Sequence, residues 1–118
     1  MGVPTVNDRI AQEVVKSIIE PRLEKVFVSN SYGYRPSKNA HQAVETVRNN
    51  TYRYAWVIDM DIKSFFDEVD HELLMKALDV HVPEKWVKLY IKRWLESPIQ
   101  NADGALTSKT GQGTPQGG

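Results

Sequence analysis

Apolar residues recur at helical spacing from the start of the chain, where Ile10, Val14, Val15, Ile18 and Ile19 share one face and predict an amphipathic helix. Thr5 is placed to cap it, with Asp8 in the first turn. Pro21, which lacks a backbone donor, should end or kink it near Ile19 or Glu20, with Leu23, Val26 and Phe27 as a short second stripe. The Gly- and Pro-punctuated stretch from Ser29 to Ser37 reads as a loop. Ser37 then caps a helix whose Ala40, Ala43, Val44 and Val47 make a narrow, small-residue face. After Asn49-Asn50 the pattern changes: Trp56-Val57-Ile58 is short and β-forming and predicts one buried strand, carrying Asp59 and Asp61 on one face with Asp61 at its end. Asp70 is the expected cap of a helix bearing Leu73, Leu74, Ala77 and Leu78. Val82-Pro83 resets the chain. The band from Trp86 to Leu95 is wider than one stripe, which implies burial on more than one side, and Pro98 stops that helix. Ile99 to Asn101 and Ala105 to Thr107 flank Asp103-Gly104, a hairpin signal. The expected class is α+β, mostly helical with a small antiparallel sheet.

Composition narrows this little. At 118 residues the chain allows one small domain or part of a larger one. Its 41% hydrophobic and 25% charged content is that of a globular protein. Fifteen basic residues balance fifteen acidic ones, so overall charge lends no support to nucleic-acid binding. The absence of cysteine excludes disulfides and thiolate zinc sites. No signal-peptide pattern or membrane-length apolar run is present, so a soluble cytoplasmic protein is expected.

The candidate chemistry lies in the stretch W-V-I-D-M-D-I-K-S-F-F-D-E-V-D, from Trp56 to Asp70. A carboxylate at a strand's mouth, followed by a turn, suits a hard cation such as Mg²⁺. A calcium loop does not fit, because Ser64 occupies its sharp-turn Gly position and Asp70 its bidentate Glu position. Aspartyl phosphatases share D-x-D, but Lys63 stands where their small hydroxyl residue is usual. Equally, Asp59 and Asp61 can be solvated strand-end residues and Phe65 and Phe66 core. In the earlier loop, Tyr32 and Tyr34 can stack on bases and Arg35 can take a phosphate, or the tyrosines can anchor the loop. A loop Arg beside Gly and Pro is expected to have few internal partners. Arg9 could form a local salt bridge. The closing T-G-Q-G-T-P-Q-G-G lacks the Gly-Lys-Ser/Thr ending of a P-loop.

Four blocks in order carry a resemblance. D-I-K-S-F-F-D-E-V-D-H, Asp61 to His71, resembles the first catalytic motif of reverse transcriptases of the group II intron (maturase) type. S-Y-G-Y-R-P-S-K-N-A-H, Ser31 to His41, is similar to that family's second block, G-V-P-T-V-N-D-R at Gly2 to Arg9 to the tail of its first, and G-T-P-Q-G-G at Gly113 to Gly118 to its fourth.

The resemblance implies the fingers and partial palm of a right-hand polymerase over residues 1–118, truncated before the Tyr-Ala-Asp-Asp motif. It implies RNA-directed DNA synthesis with two Mg²⁺ ions in the complete enzyme. Asp61 would be catalytic and bridge both ions, and the Ile62 carbonyl would add a ligand. The amides of Ser64 and Phe65 would face the triphosphate. Phe66 would gate the sugar at C2′, Gln116 would lie under the sugar of the incoming nucleotide, and Gly117 and Gly118 would let the backbone approach it closely. Arg9, Tyr34, Arg35 and Lys38 would contact nucleic acid. A polymerase keeps acidic ligands beside basic contacts, which accommodates the neutral charge. Implied partners are an RNA template, a DNA or RNA primer, deoxynucleoside triphosphates and intron RNA, with no membrane. Without the Tyr-Ala-Asp-Asp carboxylates the chain alone is expected to be inactive and, with an uncovered strand edge, to self-associate. The alternative is a non-catalytic RNA-binding module that assists intron splicing.

Overall fold

A computed structural model describes residues 4–101, 103–108 and 111–114. Among the described residues, five helices and one hairpin follow in order: α1 (Val6–Leu23), α2 (Ala40–Thr51), α3 (Phe65–Glu68), α4 (His71–His81), α5 (Lys85–Leu95), β1 (Ile99–Gln100) and β2 (Leu106–Thr107). The α+β character and the small antiparallel sheet are thus present. The chain divides into two units, Met1–Ile19 with Ile62–Gly118, and Glu20–Asp61.

α1 begins as its sequence dictates: the Thr5 hydroxyl accepts the Asp8 amide at 3.2 Å and donates to the Asp8 carboxylate at 2.5 Å. It does not end where Pro21 suggests. The helix runs through Pro21 to Leu23, and the Glu24 amide still reaches the Glu20 carbonyl at 2.9 Å. Proline deprives only the Ser17 carbonyl of its partner, and Ser17 and Pro21 are both exposed, so water can take its place.

In the first unit, Val15, Val82 and Val87 form the buried core, with Ile19, Leu78, Ile91 and Trp94 packed against it. Full burial of a valine is worth about 1.5–3 kcal/mol, so this small cluster secures α1, α4 and α5 together. α4 starts at the expected cap, where the Asp70 carboxylate accepts the Leu73 amide at 2.9 Å. α5 buries Val87, whereas Trp86, Leu89 and Tyr90 stay nearly half exposed. The breadth of its apolar band therefore overstates its burial. Trp86, Tyr90 and Trp94 instead meet edge-on and tilted along the helix, with ring centroids 6.3 and 5.7 Å apart. The hairpin pairs Ile99 with Thr107 and Gln100 with Leu106. Its turn places Gly104 at φ 84, a left-handed conformation that glycine adopts without strain.

In the second unit, Asn39 rather than Ser37 caps α2. Its side chain accepts the Gln42 amide at 2.9 Å and the Gln42 side chain accepts the Asn39 amide at 3.0 Å, a reciprocal box that Ser37 cannot form. Val44 and Val47 are exposed, and only Ala43 and Thr46 on that helix are half-buried. The strand expected at Trp56 to Ile58 is not formed: residues 54–62 carry no helix or strand, and all are exposed. An isolated strand gains no ladder bonds. Among the described residues the only ladder is β1 with β2, and the only isolated bridge joins Asp70 to Gln112.

Candidate nucleotide and nucleic-acid site

Ser64 opens the site. Its φ of 52 lies in the left-handed region, which bends the chain sharply into the short helix α3. The Ser64 carbonyl accepts the amides of Asp67 and Glu68 at 2.9 and 3.0 Å. The turn sets the rings of Phe65 and Phe66 edge to face, centroids 5.6 Å apart, and both rings remain nearly half exposed.

A distant stretch of chain is fastened against this turn. The Thr114 amide donates to the Phe66 carbonyl at 2.7 Å, the Gly113 amide to the Val69 carbonyl at 2.8 Å, and the His71 amide to the Gly111 carbonyl at 3.0 Å. Gly111 and Gly113 have φ of 80 and 78, so side chains there would be strained. His71 adds a bond of its own: Nε2 lies 2.7 Å from the Gly113 carbonyl. A carbonyl only accepts, so Nε2 carries the proton. The His71 residue is 8% exposed, and no buried side-chain polar atom lacks a partner among the described residues. Sequence reasoning gave His71 and the two glycines no structural role. The D-H pair at Asp70-His71 and the G-x-G at Gly111 to Gly113 were the available signals.

Ile62, Ser64, Phe65 and Phe66 lie in this same unit, whereas Asp61 is the last residue of the other. Asp61 and Ile62 are both exposed. No three His, Asp or Glu side chains gather where they could hold a metal ion among the described residues. A two-ion magnesium centre therefore does not fit the described residues by themselves, since hard cations demand several oxygen ligands. Gln116, Gly117 and Gly118 lie outside the described residues.

The expected nucleic-acid residues of the second unit sit on one loop, and Arg35 organises it. Its Nε and Nη2 donate to the Glu24 carboxylate at 3.0 and 2.9 Å, and Nη1 donates to the carbonyls of Val28 at 2.7 Å and Ser31 at 2.9 Å. The guanidinium also lies over the Phe27 ring, 5.3 Å from its centroid. The expectation that a loop arginine has few internal partners is thus corrected, because the chain turns back far enough for one planar fork to gather a carboxylate and two carbonyls. The hydrogen bond from Arg35 holds the Glu24 carboxyl below its ordinary value, aided by the charges of Arg35 and Lys38 against the opposing effect of desolvation. Glu24 correspondingly raises Arg35.

Lys38 donates to the Ser29 carbonyl at 2.9 Å and lies 4.9 Å from the Tyr32 ring centroid. Tyr32 shares a 2.6 Å hydrogen bond with Thr46 on α2. Tyr34 is different: it is fully exposed and has φ of 53, a conformation that costs a tyrosine energy. Arg9, in the other unit, is exposed on α1.

A Gly-rich segment is thus clasped to an aromatic turn in one unit, and a basic and aromatic loop is gathered around Arg35 in the other. Residues 1–118 match the reverse transcriptase (RNA-dependent DNA polymerase) family throughout, and the chain belongs to that family. It is 32% identical over its whole length to the group II intron-encoded protein LtrA of Lactococcus lactis subsp. cremoris, of which it covers 19%. It is 34% identical to protein YkfC of Escherichia coli strain K12, again over the whole chain and covering 32% of that protein. Against nuclear intron maturase 1, mitochondrial, of Arabidopsis thaliana, 71% of the chain aligns at 36% identity, covering 12% of that protein. The chain thus spans at most a third of the length of these relatives. No helix among the described residues is long and apolar enough to cross a membrane.

Proposed function

We propose that this chain is the fingers and partial palm of a group II intron-type RNA-directed DNA polymerase, acting on an RNA template and a DNA or RNA primer in the cytoplasm. The reaction is attack of the primer 3′-hydroxyl on the α-phosphate of a deoxynucleoside triphosphate, with pyrophosphate leaving. The clasp between Phe66–His71 and Gly111–Thr114 carries this reading. It holds two blocks far apart in sequence in one place, and it puts Thr114, two residues before Gln116, on the carbonyl of the proposed sugar gate, Phe66.

In this reading Ser64 and Phe65 offer amides to the triphosphate, and Gln116 and Gly117 bind the nucleotide. Asp61 and the Ile62 carbonyl contribute to a magnesium site only together with carboxylates beyond the described residues. Tyr34 offers an exposed stacking face to template or intron RNA, Lys38 supplies positive charge on the same loop, Arg35 contributes by holding that loop in shape through Glu24, and Arg9 is a separate basic contact on α1. The likeness to a nuclear intron maturase favours a second reading, a non-catalytic module that binds intron RNA during splicing.

Primer extension by a protein that carries this chain together with the sequence following Gly118 separates the two. Extension on an RNA template with Mg²⁺, abolished by Asp61→Asn with RNA binding retained, is expected. RNA binding without extension by the unsubstituted protein would favour the splicing module. The 118-residue chain alone is expected not to extend a primer.

A further inference from the structure

We propose that His71 is a positioning residue for nucleotide binding: its buried Nε2–H holds the Gly113 carbonyl and thereby fixes the Gly-rich segment against the aromatic turn. What is positioned rests on the polymerase reading; the holding itself does not.

The bonds from Thr114 to Phe66, from Gly113 to Val69 and from His71 to Gly111 are all between backbone groups and draw on no side chain. The His71 imidazole adds a side-chain grip on this segment. It does so at Gly113, where the chain is left-handed at φ 78. Glycine leaves the backbone free to turn there, so an unanchored Gly111–Gly113 stretch would sample many conformations. The ring is held firmly enough to act as an anchor. His71 is the first residue of α4, whose start is fixed by the Asp70 cap, and its own amide is committed to Gly111. One residue therefore pins the segment through two atoms, at Gly111 and at Gly113. Thr114 follows directly and donates to Phe66, so the anchor acts one residue from the contact that joins this segment to the proposed sugar gate.

Two substitutions isolate the bond. His71→Leu keeps comparable bulk and removes the donor, and His71→Gln keeps an amide donor at similar reach. Hydrogen exchange is followed on the 118-residue chain, and nucleotide kinetics on the protein that includes the sequence after Gly118. For His71→Leu we expect faster exchange at Gly113 and Thr114 with α5 unchanged. We also expect KM for the deoxynucleotide to rise about tenfold with kcat nearly constant, as for loss of one hydrogen bond that organises ground-state binding. His71→Gln should restore both. Unchanged exchange at Gly113 and Thr114 in His71→Leu would overturn the proposal. So would a uniform loss of kcat and of folded protein in both variants, which would make His71 a plain core residue. If the unsubstituted protein extends no primer, the polymerase reading and the role in nucleotide binding both fall, and the exchange result alone decides whether His71 holds the segment.

Discussion

The carbonyl of Phe66 accepts the amide of Thr114 at 2.7 Å, so the residue proposed to gate the sugar is tied to the Gly-rich segment by its backbone, leaving its ring free of that task. The two functions can be separated by mutation. Phe66→Ala, in a protein extended past Gly118, removes the ring and keeps the carbonyl. Ribonucleotide incorporation should rise relative to deoxynucleotide incorporation while primer extension persists. The edge contact with Phe65 is worth roughly 0.5–1.5 kcal/mol, so the fold should survive. An unchanged sugar ratio with full activity would make Phe66 an ordinary packing residue.

Arg35 and Glu24 give a prediction with a defined pH sign. The folded Glu24 carboxyl lies below its ordinary value, so its contribution is present above the unfolded value of about 4.3 and fades as pH falls through the folded value. Arg35 is raised, so its share is present below its unfolded value and is lost only in strong base. The loop should therefore open on acidification below the ordinary glutamate value, seen as accelerated proteolysis between Glu24 and Lys38 while α5 stays protected. Arg35→Ala should open the loop at neutral pH. Arg35→Lys should not close it, since an ammonium lacks the planar fork. Full protection of this loop in Arg35→Ala would show that Arg35 is free to serve nucleic acid alone.

These two cases show which parts of the molecule the sequence reveals. The Thr5 and Asp70 caps and the Asp103-Gly104 hairpin are legible because each is decided within a few residues. The Trp56 strand misleads because β-forming side chains state a preference without naming a partner, and pairing is what makes a strand. Pro21 misleads for a related reason: its cost depends on whether water reaches one carbonyl, which is a matter of burial. The clasp at His71 depends on residues 42 positions apart, and the Arg35 fork gathers three groups from a folded loop. The motifs locate both regions, but the partners of Arg35 and of His71 are set by the fold.

The last prediction concerns residues 56–62. Trp56, Val57, Ile58, Met60 and Ile62 are 90%, 75%, 81%, 86% and 70% exposed, an apolar run with no ladder of its own among the described residues. Contiguous apolar surface of this kind promotes association, and the β-forming side chains of Trp56 to Ile58 favour strand pairing when a second edge is offered. The 118-residue chain should therefore sediment faster as its concentration rises. Trp56→Lys combined with Ile58→Lys should return it to a monomer without lowering its thermal midpoint, because both side chains are exposed. Concentration-independent sedimentation of the unsubstituted chain would refute self-association. A midpoint lowered by several degrees in the double variant would mean that Trp56 and Ile58 support the fold, and the monomer could then not be credited to loss of a sticky surface.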